Sequence, residues 1–133
     1  MDEKIDSLVH NYGTRDPFEL VEKMDLFVDY EPLGENINGY YYARGSTKFI
    51  VLNSQKPRHL QRFTLGHEIA HHILHAHTNA MLLSMTGRQE CEADKFAMYL
   101  LLSDEDLKEY PERTIDDWAA IMGLPRETIE LRF

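Results

Sequence analysis

The sequence has little that could brace the fold from outside its own core. One cysteine, Cys91, stands among 133 residues, so no disulfide can form within the chain, and this usage suits a reducing, cytoplasmic setting. Cys91 itself reads as a small buried apolar residue. No run is long and apolar enough to span a membrane. The opening Met1-Asp2-Glu3-Lys4-Ile5-Asp6 is charged where a secretory leader needs an apolar stretch. Basic residues are scarce: 14 Lys and Arg stand against 23 Asp and Glu, a formal net charge of −9. That balance argues against non-specific binding to nucleic acid and against anionic membrane surfaces. Internal repeats, low-complexity tracts and linkers are also missing. The length fits one domain, 1–133, and the 43% hydrophobic content is enough for one modest core.

What is present reads as α+β. Ile5, Leu8, Val9 and Tyr12 recur at helical spacing over residues 4–12. Asp16-Pro17 has the form of a helix start, with Asp as N-cap and Pro in the first turn; that helix runs to about Met24 with Phe18, Val21 and Met24 inward. Leu26–Tyr30, Gly39–Ala43 and Lys48–Leu52 are rich in aromatic and β-branched residues and predict a small antiparallel sheet of about three strands. Arg44-Gly45-Ser46 reads as the turn of a hairpin. A long helix follows from Ser54–Pro57 to His75-Ala76-His77, then a loop over 78–87 and a helix over about 88–102. Ser103 caps a short segment, Thr114 begins another helix that stops at Gly123, and Pro125 opens a last one through Leu131. This tail has the outline of a helix-turn-helix but lacks a basic face, so its expected role is packing.

The long helix carries His67-Glu68-Ile69-Ala70-His71. Positions four apart share a helical face, so His67 and His71 can offer two imidazole nitrogens to one metal ion. Glu68, beside the first of them, is placed to act as general base on a water. Two His ligands, a third ligand from elsewhere and a Glu base make up the layout of a zinc hydrolase.

The third ligand must be sought downstream. His77 follows His67 by ten, but Ile73-Leu74 continues the helix where a turn is needed, so on a straight helix His77 points away. His72 and His75 flank the site; His75 can line the cleft, although exposure to solvent is the simpler reading. Glu90 and Glu92 lie two apart on the next helix, about 200° around it, and cannot both face one metal. Glu90 shares its face with Ala93, Asp94, Ala97 and Leu101, and those small residues let the two helices approach closely. Glu90 is therefore the expected ligand, and Asp94, one turn on, the expected acceptor of a hydrogen bond from the outer nitrogen of a ligating histidine. Tyr40, Tyr41, Tyr42 and His75 remain alternatives for stabilising an oxyanion. The tyrosine run also suits plain sheet packing or a substrate-facing edge strand.

Phe63-Thr64-Leu65-Gly66-His67-Glu68-Ile69-Ala70-His71-His72-Ile73-Leu74-His75 resembles the F-T-x-x-H-E-x-x-H-x-x-L-H segment of ImmA/IrrE-type metallo-endopeptidases. Glu90-Cys91-Glu92-Ala93-Asp94-Lys95-Phe96-Ala97 is similar to the E-x-E-A-[ND]-x-F-A segment of the same family. The resemblance extends to the Gly39–Asn53 hairpin and the last helix. It implies a zincin-like fold, Zn2+ held by His67, His71 and Glu90, and Glu68 as base. It also implies a setting in which such proteins act on a helix-turn-helix repressor of a phage or mobile element. The chain departs from the family at Leu101-Leu102-Ser103-Asp104, where L-L-M-P is common. Two functions follow as expectations: proteolysis of the repressor, or anti-repression by binding alone with the metal site retained.

Overall fold

A computed structural model describes residues 1–75 and 87–133. His77 and the loop expected over 78–86 lie outside the described residues. In chain order the elements are α1 (Asp2–Tyr12), α2 (Pro17–Lys23), β1 (Phe27–Glu31), β2 (Gly39–Arg44), β3 (Thr47–Asn53), α3 (Arg58–Leu74), α4 (Gly87–Leu101), α5 (Asp104–Glu109), α6 (Ile115–Met122) and α7 (Arg126–Glu130). The architecture is α+β, with one small sheet and helices on it, as the hydrophobic periods require.

Local chemistry explains the boundaries. The Asp16 side chain accepts from Phe18 N at 3.0 Å and so caps α2, with Pro17 at its first position. Ser103 and Thr114 each form a reciprocal capping box, with Asp106 and Asp117 respectively. Much of the acidity sits in first turns: Asp2 and Glu3 on α1, Asp104, Glu105 and Asp106 on α5, Asp116 and Asp117 on α6. There it complements the helix dipole.

The sheet departs from expectation. It is mixed, not antiparallel: the order is β1-β3-β2, with β3 antiparallel to β2 but parallel to β1. The cause is the segment between β1 and β2. Glu31 at the end of β1 pairs with Asn53, and Gly39 at the start of β2 lies opposite Leu52, so both ends meet at the same end of β3 on opposite sides of it. Residues 32–38 therefore cross over the end of β3 instead of closing a hairpin. Asn53 holds them there. It is fully buried, its Nδ2 donates to the carbonyls of Gly34 and Ile37 at 2.7 Å each, and its Oδ1 accepts from Leu33 N at 3.2 Å and Gln55 N at 2.9 Å.

The core has two parts. Ile50 and Leu52 of β3, Leu65 and Ile69 of α3, Ala93, Phe96 and Leu100 of α4, and Ile5 and Leu20 from α1 and α2 form the first. Each such aliphatic or aromatic side chain contributes about 1.5–3 kcal/mol on full burial. Met98, Leu102, Trp118, Leu124 and Ile129 form the second, under the C-terminal helices. Arg132 is buried beside it and donates from Nε to the Leu102 carbonyl at 2.7 Å, which docks the chain's end. The α3–α4 contact is the most extensive between elements. At its centre a Cβ built on Gly66 would lie 3.2 Å from the Ala97 Cβ. Glycine within a helix costs about 1 kcal/mol relative to alanine; here the missing Cβ makes room for the Ala97 methyl and lets the two backbones approach closely. Among the described residues no helix is long and apolar enough to cross a membrane.

Candidate metal centre

His67 and His71 project from adjacent turns of α3, and their Nε2 atoms lie 3.0 Å apart. Glu90, from the first turn of α4, bridges them: its Oε2 is 3.2 Å from His67 Nε2 and its Oε1 is 2.8 Å from His71 Nε2. The three residues offer one donor atom each within 4.8 Å of one another. Donors held about 2.0–2.1 Å from one zinc ion in a tetrahedral array stand about 3.3 Å apart, so the set fits a single ion. Glu92 is carried to the far side, and its Oε2 lies 3.8 Å from His75 Nε2. The alanine face separates the two carboxylates: Ala93 and Ala97 are fully buried against α3 and leave Glu90 facing the histidines.

Asp94 sits behind His67, whose Nδ1–H donates to its Oδ1 at 2.6 Å. Burial alone would lower the pKa of His67, but the Asp94 and Glu90 carboxylates outweigh it and raise it to about 10. His71 is lowered to about 4, first by burial and then by the charge on His67. A ligating imidazole binds in its neutral form, so protons would compete with a metal for this pair. Glu90 is held below its usual range, first by its hydrogen bond to His67.

Glu68 is only 3% exposed. Burial pushes its carboxyl up to about 7; the His67 charge opposes this, and Glu90 and Asp94 add to it. Among the described residues its Oε2 has no hydrogen-bond partner. A buried carboxylate oxygen is costly to leave bare, and Glu68 is among the residues lining a cleft of about 340 Å³ with His67, Glu90 and Asp94. The opposite wall is Asn36, Ile37 and Asn38, the segment that Asn53 secures. Gly39 completes it; a Cβ there would stand 2.6 Å from the Val51 carbonyl oxygen. A larger hollow of about 610 Å³ lies between α1 and the end of α3 but gathers no comparable set of ligands.

Several expectations need correction. His75 is not solvated: it is 5% exposed and its Nδ1 lies 2.9 Å from His71 Nδ1, behind the ligand and away from the cleft. Cys91 is exposed, not buried. The tyrosines do not reach the cleft. Tyr41 bonds through its hydroxyl to His72 Nδ1 at 3.0 Å. Tyr40 packs on Tyr42, and Tyr42 stacks on Phe49, in a row across the other face of the sheet. The residues that sequence reasoning missed are Asn53 and the wall it holds. The one available signal was the position of a polar residue directly after the apolar run Ile50–Leu52.

The comparisons with known proteins agree with this arrangement. A peptidase family model described as the IrrE N-terminal-like domain matches residues 21–133, which include both ligand helices. Immunity region protein 2 of Bacillus phage phi105, named as uncharacterized, is 31% identical over 135 residues, spanning 96% of this chain and 85% of that protein. Metallopeptidase ImmA of Bacillus subtilis (strain 168) is 22% identical over 111 residues, spanning 80% of this chain and 65% of that protein. A metallopeptidase family implies a metal ion, and the His67, His71 and Glu90 donors are of the kind that holds one. On the match over residues 21–133 and the phage relative's similarity along nearly the whole chain, this protein belongs to the ImmA/IrrE family.

Proposed function

We propose that the chain is a zinc-dependent endopeptidase. In this reading His67, His71 and Glu90 hold the ion, Glu68 is the general base, and Asp94 orients His67. The observation that carries it is the convergence of three ligand atoms beside Glu68, a cleft-lining residue whose buried Oε2 has no hydrogen-bond partner among the described residues. Two imidazoles and one carboxylate favour zinc, and three protein ligands leave a coordination position for chemistry. When bound, zinc supplies Lewis-acid chemistry, polarising a carbonyl and acidifying water.

The protein's own groups do the rest. Glu68, near neutrality in pKa, takes the proton of the attacking water and delivers it to the leaving amine. Asp94 holds the His67 ring through Nδ1. The β2 strand is one edge of the sheet and begins at Gly39 in the cleft, so an extended peptide can add alongside it.

The substrate class we propose is a helix-turn-helix repressor of a phage or mobile element. An immunity-region name on the phage relative and an acidic chain suited to meeting a basic DNA-binding domain support this choice. The same two facts also accommodate a partner that binds the repressor without cutting it. The deciding experiment incubates the protein with a helix-turn-helix repressor from the same phage or mobile element, with and without chelator. Wild type is expected to yield fragments that disappear with chelator, and Glu68→Gln is expected to retain zinc but lose cleavage by at least about 10²-fold. Native-rate cleavage by Glu68→Gln would overturn the mechanism. Intact repressor released from its operator, with or without chelator, would establish the binding mode instead.

A further inference from the structure

The two ligand histidines are supported differently. Behind His67 stands a carboxylate, Asp94, at 2.6 Å. Behind His71 stands another imidazole, His75, one helical turn further along the same face, with Nδ1 to Nδ1 at 2.9 Å. His71 is fully buried and His75 nearly so, so no bulk water competes for that contact. A hydrogen bond between two ring nitrogens needs one proton, and its direction follows from the metal site. A His71 that ligates through Nε2 has its lone pair there and its proton on Nδ1. His71 Nδ1–H is then the donor and His75 Nδ1 the acceptor. In the neutral ring the His75 proton is left on Nε2, which lies 3.8 Å from the Glu92 carboxylate. Glu92 in turn lies 3.6 Å from Arg88.

We propose that His75 is a positioning residue for the metal: its Nδ1 fixes the ring orientation and tautomer of His71. The inference rests on the reading of His67, His71 and Glu90 as metal ligands. It makes the two ligands inequivalent. His67 leans on a carboxylate and His71 on an imidazole, so loss of either support weakens the site by a separate route.

The test needs no substrate. Zinc affinity is measured by competition with a chromogenic chelator, and the absorption spectrum is recorded after loading with cobalt. The proteins are wild type, His75→Leu, His75→Asn, His75→Gln and, as a control on the ligand reading, His71→Ala. Asparagine places an acceptor oxygen where Nδ1 stands, whereas glutamine puts its polar atoms nearer Nε2. His75→Leu is expected to bind zinc about 10–100-fold more weakly and to shift the cobalt spectrum, while His75→Asn stays within about threefold of wild type. If the leucine variant does not fold, the same contrast is read between His75→Asn, near wild type, and His75→Gln, weakened. Wild-type zinc affinity and cobalt spectrum in His75→Leu, or in His75→Gln where that stands in, would overturn the proposal. Full zinc binding by His71→Ala would instead overturn the ligand reading beneath it.

Discussion

Residue by residue, the sequence is most informative where spacing alone constrains chemistry. His67 and His71 are four apart, and only a helix makes that spacing a shared site. The separation of Glu90 from Glu92 could be reasoned from their neighbours, because Ala93 and Ala97 mark the face that packs against α3, and the structure brings Glu90 to the histidines. His75 could not be placed this way. Its spacing from His71 repeats that of His71 from His67, but a histidine near a helix end also suits solvent, and only burial decides. Asp94 yields a prediction at this scale. Removing its carboxylate leaves His67 without the partner at 2.6 Å, and loss of such a partner typically costs about 10–100-fold in metal affinity. Asp94→Ala is expected to weaken zinc binding by that factor in a chelator competition, with melting of the metal-free protein little changed. Glu90→Ala should abolish tight binding. Equal affinities for wild type and both variants would remove α4 from the metal site.

At the scale of elements, existence was legible and arrangement was not. The strands and helices follow from hydrophobic period and caps, and their ends fall within a few residues of where Pro17, Ser103, Thr114 and Gly123 put them. Strand order depends on how residues 32–38 travel, and hydrophobic pattern says nothing about that. The buried Asn53 contributes most to it: it makes four side-chain hydrogen bonds, three of them to the crossing segment and one to Gln55 N, while Gln55 and Lys56 each add one more to that segment. Replacing Asn53 removes the partners of Leu33 N, Gln55 N and the Gly34 and Ile37 carbonyls. Asn53→Ala is therefore expected to lower unfolding free energy by about 1–3 kcal/mol, measured by urea denaturation, and to speed amide exchange at Leu33. Zinc affinity should hold, because residues 33–38 supply none of the three ligand atoms. An Asn53→Ala protein with native stability would mean that the crossing is secured elsewhere.

For the whole molecule, two packed clusters and a close helix pair hold α3 and α4 together. Chelation is accordingly expected to leave far-ultraviolet circular dichroism near its starting value. Zinc at about 100 times its dissociation constant should still add about 2.7 kcal/mol of apparent stability through linkage. Loss of helical signal on chelation would show that the ion builds the fold as well as the site. The net charge of −9 acts at the same scale: association with a basic partner should slow as salt rises and screens the charge.

A Cβ on Gly66 would stand 3.2 Å from the Ala97 methyl, so any larger side chain at either position would push α4 back from α3 and draw Glu90 away from His67 and His71 together.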